Sequence, residues 1–153
     1  MHKAVISATG VYTPELSISN AELVEAFNAW ASAENARNAP RIESGEMEAI
    51  GLSSEEFIVK ASGIERRYVL NKSGVLDPKV MHPVLPERGD DEISVMAEMA
   101  VSAANEALGK AGKSAADIDG VICAASNHER AYPAIAIEVQ QALGIKGFGF
   151  DMN

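Results

Sequence analysis

Residues 120–152 constrain this chain more than any other stretch. They hold an apolar run, "VICAAS", a helical segment, "PAIAIEVQQALG", and a Gly-punctuated apolar run, "GFGFDM". The first and last read as strands, and the middle as a helix with Pro133 in its first turn and Gly144 at its stop. Strand, loop, helix and strand in that order make a βαβ unit. Its two strands are expected to be parallel, with a right-handed crossover. The predicted class is therefore α/β.

The glycines at 144, 147 and 149 invite comparison with a phosphate-binding loop. The dinucleotide fingerprint, however, needs its glycines after a strand and opening a helix. Here they precede and enter a strand, so they read as a helix stop followed by close strand packing.

Upstream, "KAVISATG" is β-branched and apolar and ends on Gly10, which predicts a first strand of roughly six residues. "SISN" supplies helix caps. Leu23, Val24, Phe27, Trp30 and Ala31 then share one helical face from about Asn20 to Ala33, with Glu22, Glu25 and Asn28 opposite. Residues 34–52 lose that period and carry Pro40 and Gly45, and they read as an exposed, partly helical insertion. "SSEEFIVKASG" restarts with a Ser cap, two carboxylates in the first turn and a Gly stop. "IERRYVL" follows as a short strand or extended segment. Residues 71–90, rich in proline and glycine, form a long loop of the kind that is functional or mobile.

The clearest helix is "DDEISVMAEMAVSAANEALGKAG". Ile93, Met96, Ala97, Ala100, Val101, Ala104, Leu108 and Ala111 keep the helical period, with Asp90 or Asp91 placed to cap its start and Gly112 to stop it. The alanines at 97, 100 and 104 let a neighbouring backbone approach closely.

A length of 153 residues fits one domain with a proper core. A formal net charge of -9 works against nucleic-acid binding, which needs a basic footprint, and against an anionic membrane surface. No apolar run approaches a membrane span, and the N-terminus does not read as a signal peptide. One cysteine excludes an internal disulfide and fits a reducing compartment. The expectation is a cytoplasmic protein with neither a nucleic acid nor a membrane as partner.

Residues that could carry chemistry are few. His2, His82 and His128 have no spacing that sets two on one helix face, so no metal site is expected. Cys123 sits mid-strand between apolar neighbours and reads as an inert core thiol. "ERR" at 65–67 could serve as an anion site, but a charged segment edge is the commoner outcome. Singly, none of these names a function.

Read together, the segments "SATGVYTPELSISNAEL", "SSEEFIVKASGIERRYV", "AEMAVSAANEALGKAG", "DIDGVICAAS" and "AYPAIAIEVQQALGIKGFGFDMN" resemble the first half of the β-ketoacyl-acyl carrier protein synthase III family. The resemblance covers nearly the whole chain apart from residues 34–52 and 71–90. It implies an α/β, thiolase-like fold, of which residues 1–153 would be the N-terminal half of a layered αβαβα protein. In that family the strand ending in the Phe-Asp seen here as Phe150-Asp151 leads within a few residues into a nucleophilic cysteine at the start of a buried helix, where the dipole favours thiolate. A His and an Asn from the second half stabilise the enolate formed as malonyl carrier protein decarboxylates, and backbone amides bind the thioester oxyanion.

The resemblance further implies an acyltransferase of fatty-acid synthesis. It would condense an acyl-CoA primer with malonyl-acyl carrier protein through a Cys thioester, with CoA entering as a substrate and no other cofactor. Its expected partners are acyl-CoA, acyl carrier protein, a second copy in a homodimer and the C-terminal half of the same protein. No catalytic residue falls within the 153 positions; the cysteine would lie a few residues beyond Asn153, and Cys123 on the preceding strand does not replace it. The chain is thus read as stopping just short of its chemistry and as silent on its own, with apolar surface left open.

Three positions match the family's binding frame. Phe57 stands where an aromatic flanks the CoA adenine, or else packs in the core. Ser62 stands where a Thr contacts CoA, while the Arg usual one position earlier is Ala61. Tyr132 matches an aromatic that reaches the partner subunit's acyl pocket and limits primer length. The insertion and the missing Arg suggest a medium-length primer. For carrier-protein docking, Arg66, Arg67 and Arg130 are available. Two other readings stand beside this one: a non-catalytic thiolase-fold half or partner subunit that shapes a pocket without a nucleophile, and a free-standing ligand-binding α/β domain.

Overall fold

The computed structural model describes residues 4–152. The chain divides into two compact units: Thr13–Pro86, and everything from Glu87 onward together with the N-terminal stretch up to Tyr12.

In the Thr13–Pro86 unit, β1 (Leu16–Ser19) pairs antiparallel with β2 (Arg66–Val69), with Leu16 opposite Val69 and Ser19 opposite Arg66. The sequence reading took "SISN" for caps alone and missed this strand. Ser19 does both jobs, because it also caps α1 (Asn20–Arg37). Its hydroxyl accepts from the Glu22 amide at 3.2 Å, and the Glu22 carboxylate accepts from the Ser19 amide at 2.9 Å. These two bonds satisfy helix-end donors reciprocally. α1 continues past Ala33, since no breaker lies between that residue and Arg37. After it comes the short α2 (Ala39–Glu43), with Pro40 in its first turn. α3 (Glu55–Ser62) is capped by Ser54, carries Glu55 and Glu56 in its first turn and stops at Gly63, as the sequence predicts.

The face of α1 assigned to solvent is partly turned inward. The Asn28 side chain donates to the Ser53 carbonyl at 3.0 Å and accepts from the Ser53 amide at 2.8 Å. Two turns on, Asn35 makes the same two-way pair with Ile50, at 2.9 and 2.8 Å. Asn20, 3% exposed, donates to the Ile64 carbonyl at 2.7 Å. An irregular segment has backbone groups that no ladder satisfies, and an amide side chain offers both a donor and an acceptor. Residues 50–53 are therefore pinned, although the sequence showed them only as the end of an excursion.

The second unit holds α4 (Val95–Ala111), β3 (Gly120–Ala124), α5 (Ile135–Leu143) and β4 (Phe148–Met152). A short 3-10 turn at Ala115–Asp117 leads into β3. β3 and β4 are parallel, with Gly120 opposite Phe148 and Ala124 opposite Met152, so the predicted βαβ unit is present. Ala97, Ile135 and Val139 form its buried centre, with Ile93, Met96, Ala100, Val101, Val121 and Cys123 around them. Gly144 ends α5 in the left-handed region at φ 74, and a Cβ on Gly147 would sit 1.7 Å from the Asp119 carbonyl oxygen. Helix stop and close strand packing are thus what these glycines do.

Both helix starts differ from the prediction. Ser94, not Asp90 or Asp91, caps α4, accepting from the Ala97 amide at 3.1 Å. Its own amide and hydroxyl donate to the buried Glu138 at 2.9 and 2.6 Å, so one carboxylate ties α5 to the first turn of α4. Pro133 lies ahead of α5 rather than in its first turn, and its peptide bond with Tyr132 is cis. Ala134 has no side chain that can cap. Asp151, reaching across from β4, instead accepts from the Ile135 and Ala136 amides at 2.8 Å each.

The predicted first strand is not formed. Lys3 lies outside the described residues, and residues 4–10 are irregular, with Val5 83% and Ile6 87% exposed. A strand exists only against a partner, and among the described residues none pairs with this segment. The outward face of the β3–β4 pair is also open: Ile122, Phe148, Phe150 and Met152 alternate onto it and are all exposed. The Phe148 and Phe150 rings stack there at 6.1 Å. This is the open apolar surface expected from the sequence.

Candidate functional site

The Thr13–Pro86 unit holds a cavity of about 520 Å³. Leu23, Val24 and Phe27 of α1 form one wall, and Gly51, Leu52 and Ser53 of the pinned segment form another. Phe57 and Ile58 of α3, Arg67 of β2 and Met81 close it. The helical face predicted to pack on a core is therefore, over its first turns, the wall of a hollow.

Phe57 is 64% exposed, so it is not a core residue. Part of the ring closes the cavity, and much of it is open to solvent. Ser62 is not among the lining residues. Its hydroxyl donates to the Ile58 carbonyl at 2.8 Å and accepts from the Ile64 amide at 3.2 Å, which leaves one lone pair and no donor. Ala61 brings no cation to this helix. Tyr132 belongs to the other unit and is 87% exposed.

Arg67, named in the sequence only within "ERR" and as a cation available for carrier-protein docking, lines this cavity. It reads as one charge in "ERR", but alternation along β2 separates it from Arg66: Arg66 and Tyr68 are exposed, whereas Arg67 and Val69 are half-buried. One Arg67 nitrogen, Nη1, donates to Asn20 Oδ1 at 2.9 Å. The other guanidinium donors have no partner among the described residues.

A second hollow, in the other unit, is lined by His128, Glu129, Arg130 and Asp151. These groups tie the loop after β3 in place. Glu129 accepts from the Met96 amide at 3.0 Å, Arg130 donates to the Glu92 carbonyl at 3.1 Å, and His128 Nδ1 stands 3.7 Å from Asp151. Cys123 lies beside Asp151 across the strand pair. Burial, and then the Asp151 charge, push its thiol up from its ordinary value, so nothing here favours thiolate. Of the three arginines considered for docking, Arg66 alone is exposed and has no side-chain bond among the described residues.

Among the described residues no three His, Cys, Asp or Glu side chains gather as a metal would require. His82 stays beside the Pro83 carbonyl at 3.0 Å, and His2 lies outside the described residues. Among the described residues no helix is long and apolar enough to cross a membrane.

The architecture matches solved condensing enzymes. A 3-oxoacyl-[acyl-carrier-protein] synthase III from Aquifex aeolicus superposes with a TM-score of 0.61 over 96% of this chain and 33% of its own, at 24% identity. The fold is thus thiolase-like α/β. No protein-family model matches the chain. Sequence relatives are nevertheless clear: a β-ketodecanoyl-[acyl-carrier-protein] synthase from Pseudomonas aeruginosa is 60% identical over 130 residues, covering 85% of this chain and 37% of the relative. A β-ketoacyl-[acyl-carrier-protein] synthase III from Granulibacter bethesdensis is 30% identical over all of this chain and 34% of its own length. Over the stretch it covers, the chain belongs to the β-ketoacyl-acyl carrier protein synthase III family. It spans about a third of the length of the curated relatives it matches.

Proposed function

We propose that the whole protein is a condensing acyltransferase of fatty-acid synthesis that takes a medium-chain acyl-CoA primer. The 60% identity to a β-ketodecanoyl-[acyl-carrier-protein] synthase carries this reading. A β-ketodecanoyl product has ten carbons in its acyl chain, two of them from malonyl, so the primer is octanoyl. Octanoyl-CoA and malonyl-acyl carrier protein give β-ketodecanoyl-acyl carrier protein, CoA and carbon dioxide. The acyl group passes through a cysteine thioester, and Cys123, with its raised thiol, is not that cysteine.

Within this chain, Phe57 offers the open part of its ring to the CoA adenine, a stacking platform of the kind exposed aromatics provide. Ser62 can only accept a hydrogen bond from CoA. Tyr132, exposed next to Pro133, limits the length of the primer in the pocket of a second copy. The protein is cytoplasmic and works as a homodimer, with acyl carrier protein as its second substrate-bearing partner.

The test is direct: the full-length protein is given octanoyl-CoA and malonyl-acyl carrier protein, and the carrier protein is weighed by mass spectrometry. A β-ketodecanoyl adduct supports the proposal. An unchanged carrier protein, with no acyl group on the enzyme, would overturn it and favour a non-catalytic partner subunit.

A further inference from the structure

Beyond the condensation reading, the cavity beneath α1 and α3 points to a ligand of its own. The hollow is open to solvent on one side, and its volume of about 520 Å³ lies in the range of small-molecule sites. Its walls are held in place. Asn28 fixes the backbone of Ser53 from both sides, and Asn35 does the same for Ile50 just ahead of Gly51 and Leu52. The interior is aliphatic and aromatic, with Leu23, Val24, Phe27 and Ile58 on the helices and Met81, an adaptable side chain, opposite.

One charge faces this apolar space. Arg67 is oriented by the buried Asn20, which is itself held by the Ile64 carbonyl. Only Nη1 is bonded, the other donors of the planar fork are unmet among the described residues, and Arg67 lines the cavity. That fork matches a carboxylate in two parallel hydrogen bonds. Ser53 is the one hydroxyl on the wall. It is too little to read the edges of a nucleobase or the hydroxyls of a sugar, whereas an alkyl chain needs no polar partner.

We propose that this cavity binds a medium-chain fatty carboxylate, with its chain among Leu23, Val24, Phe27 and Leu52 and its carboxylate on Arg67. The site is distinct from the outer part of the Phe57 ring, where CoA stacks in the condensation reading. The two ligands do not compete.

Decanoate is titrated into the full-length protein by calorimetry, with decanol as the uncharged probe and adenosine 3′,5′-bisphosphate as the nucleotide probe. Saturable decanoate binding is expected. Arg67→Met should weaken it by about tenfold or more, the loss of a charge-assisted pair, and leave decanol unchanged. Leu52→Glu, at a position 64% exposed and so tolerant of charge, should weaken decanoate binding by like-charge repulsion while the protein stays folded. Absence of saturable binding overturns the proposal, as does equal affinity in Arg67→Met. Displacement of decanoate by the bisphosphate also overturns it, because the cavity would then be a nucleotide site.

Discussion

The two units of this chain are held together by different means. From Glu87 onward, apolar side chains do the work: Ala97, Ile135 and Val139 are almost fully buried between α4, α5 and the strand pair. In Thr13–Pro86, the side of α1 that should be a core wall opens onto a cavity, and the segment beside it is fixed by asparagine amides bonded to backbone. Burial of apolar area is non-directional and tolerant, while a two-way amide pair is directional and fails when one atom is lost. The unit from Glu87 onward should therefore lose stability in proportion to volume removed, and the irregular part of Thr13–Pro86 in proportion to hydrogen bonds removed.

The largest expected effect tests the apolar side. Ile135→Ala should cost about 2–5 kcal/mol, the usual range for emptying a buried isoleucine site, read as a lower denaturation midpoint of the unit that contains it. A change under about 0.5 kcal/mol, typical of surface sites, would mean that Ile135 is not part of a packed core.

Asn28→Ala and Asn35→Ala come next. Each removes two bonds to backbone, at about 1–2 kcal/mol per variant. The loss should be regional, with amide exchange of Ser53 and Ile50 accelerating while Ala97 and Val139 keep their protection. Uniform acceleration across both units would erase the distinction between them.

Periodicity explains why the two units differ in legibility. The α4 face from Met96 to Ala111 and the order of β3, α5 and β4 could be read because one side of each element is apolar at a regular spacing. Asn28 and Asn35 share a helix face two turns apart, but an asparagine on a helix looks solvent-facing until its backbone partner is known. β1 was missed because its four residues contain two serines, one of which is also a cap. Glu138 and Asp151 act on residues far away in sequence, so neither the tie from Glu138 to Ser94 nor the Asp151 cap of α5 could be found from local pattern. At the candidate site, Phe57 was legible as an aromatic at a matching position. Arg67 was not, since only the strand's alternation separates it from Arg66.

The smallest effect is a pH dependence of the α1 cap in Thr13–Pro86. Hydrogen bonds from Lys72 and then from Ser19 pull the Glu22 carboxyl from 4.5 down to about 2. A carboxyl lowered on folding contributes stability above its unfolded value and loses it as pH falls through the folded one. The cap of α1 should therefore weaken between about pH 4.5 and pH 2. Glu22→Gln should flatten that dependence in helix α1, as followed by amide exchange. Persistence of the full acid response in the variant would assign it to another carboxylate.

The functional reading turns on primer length. The most direct measurement is a competition in which the full-length protein receives acetyl-CoA and octanoyl-CoA together with malonyl-acyl carrier protein, and the two β-ketoacyl products are counted. A predominance of β-ketodecanoyl-acyl carrier protein is the predicted result. A predominance of the four-carbon acetoacetyl product would contradict it.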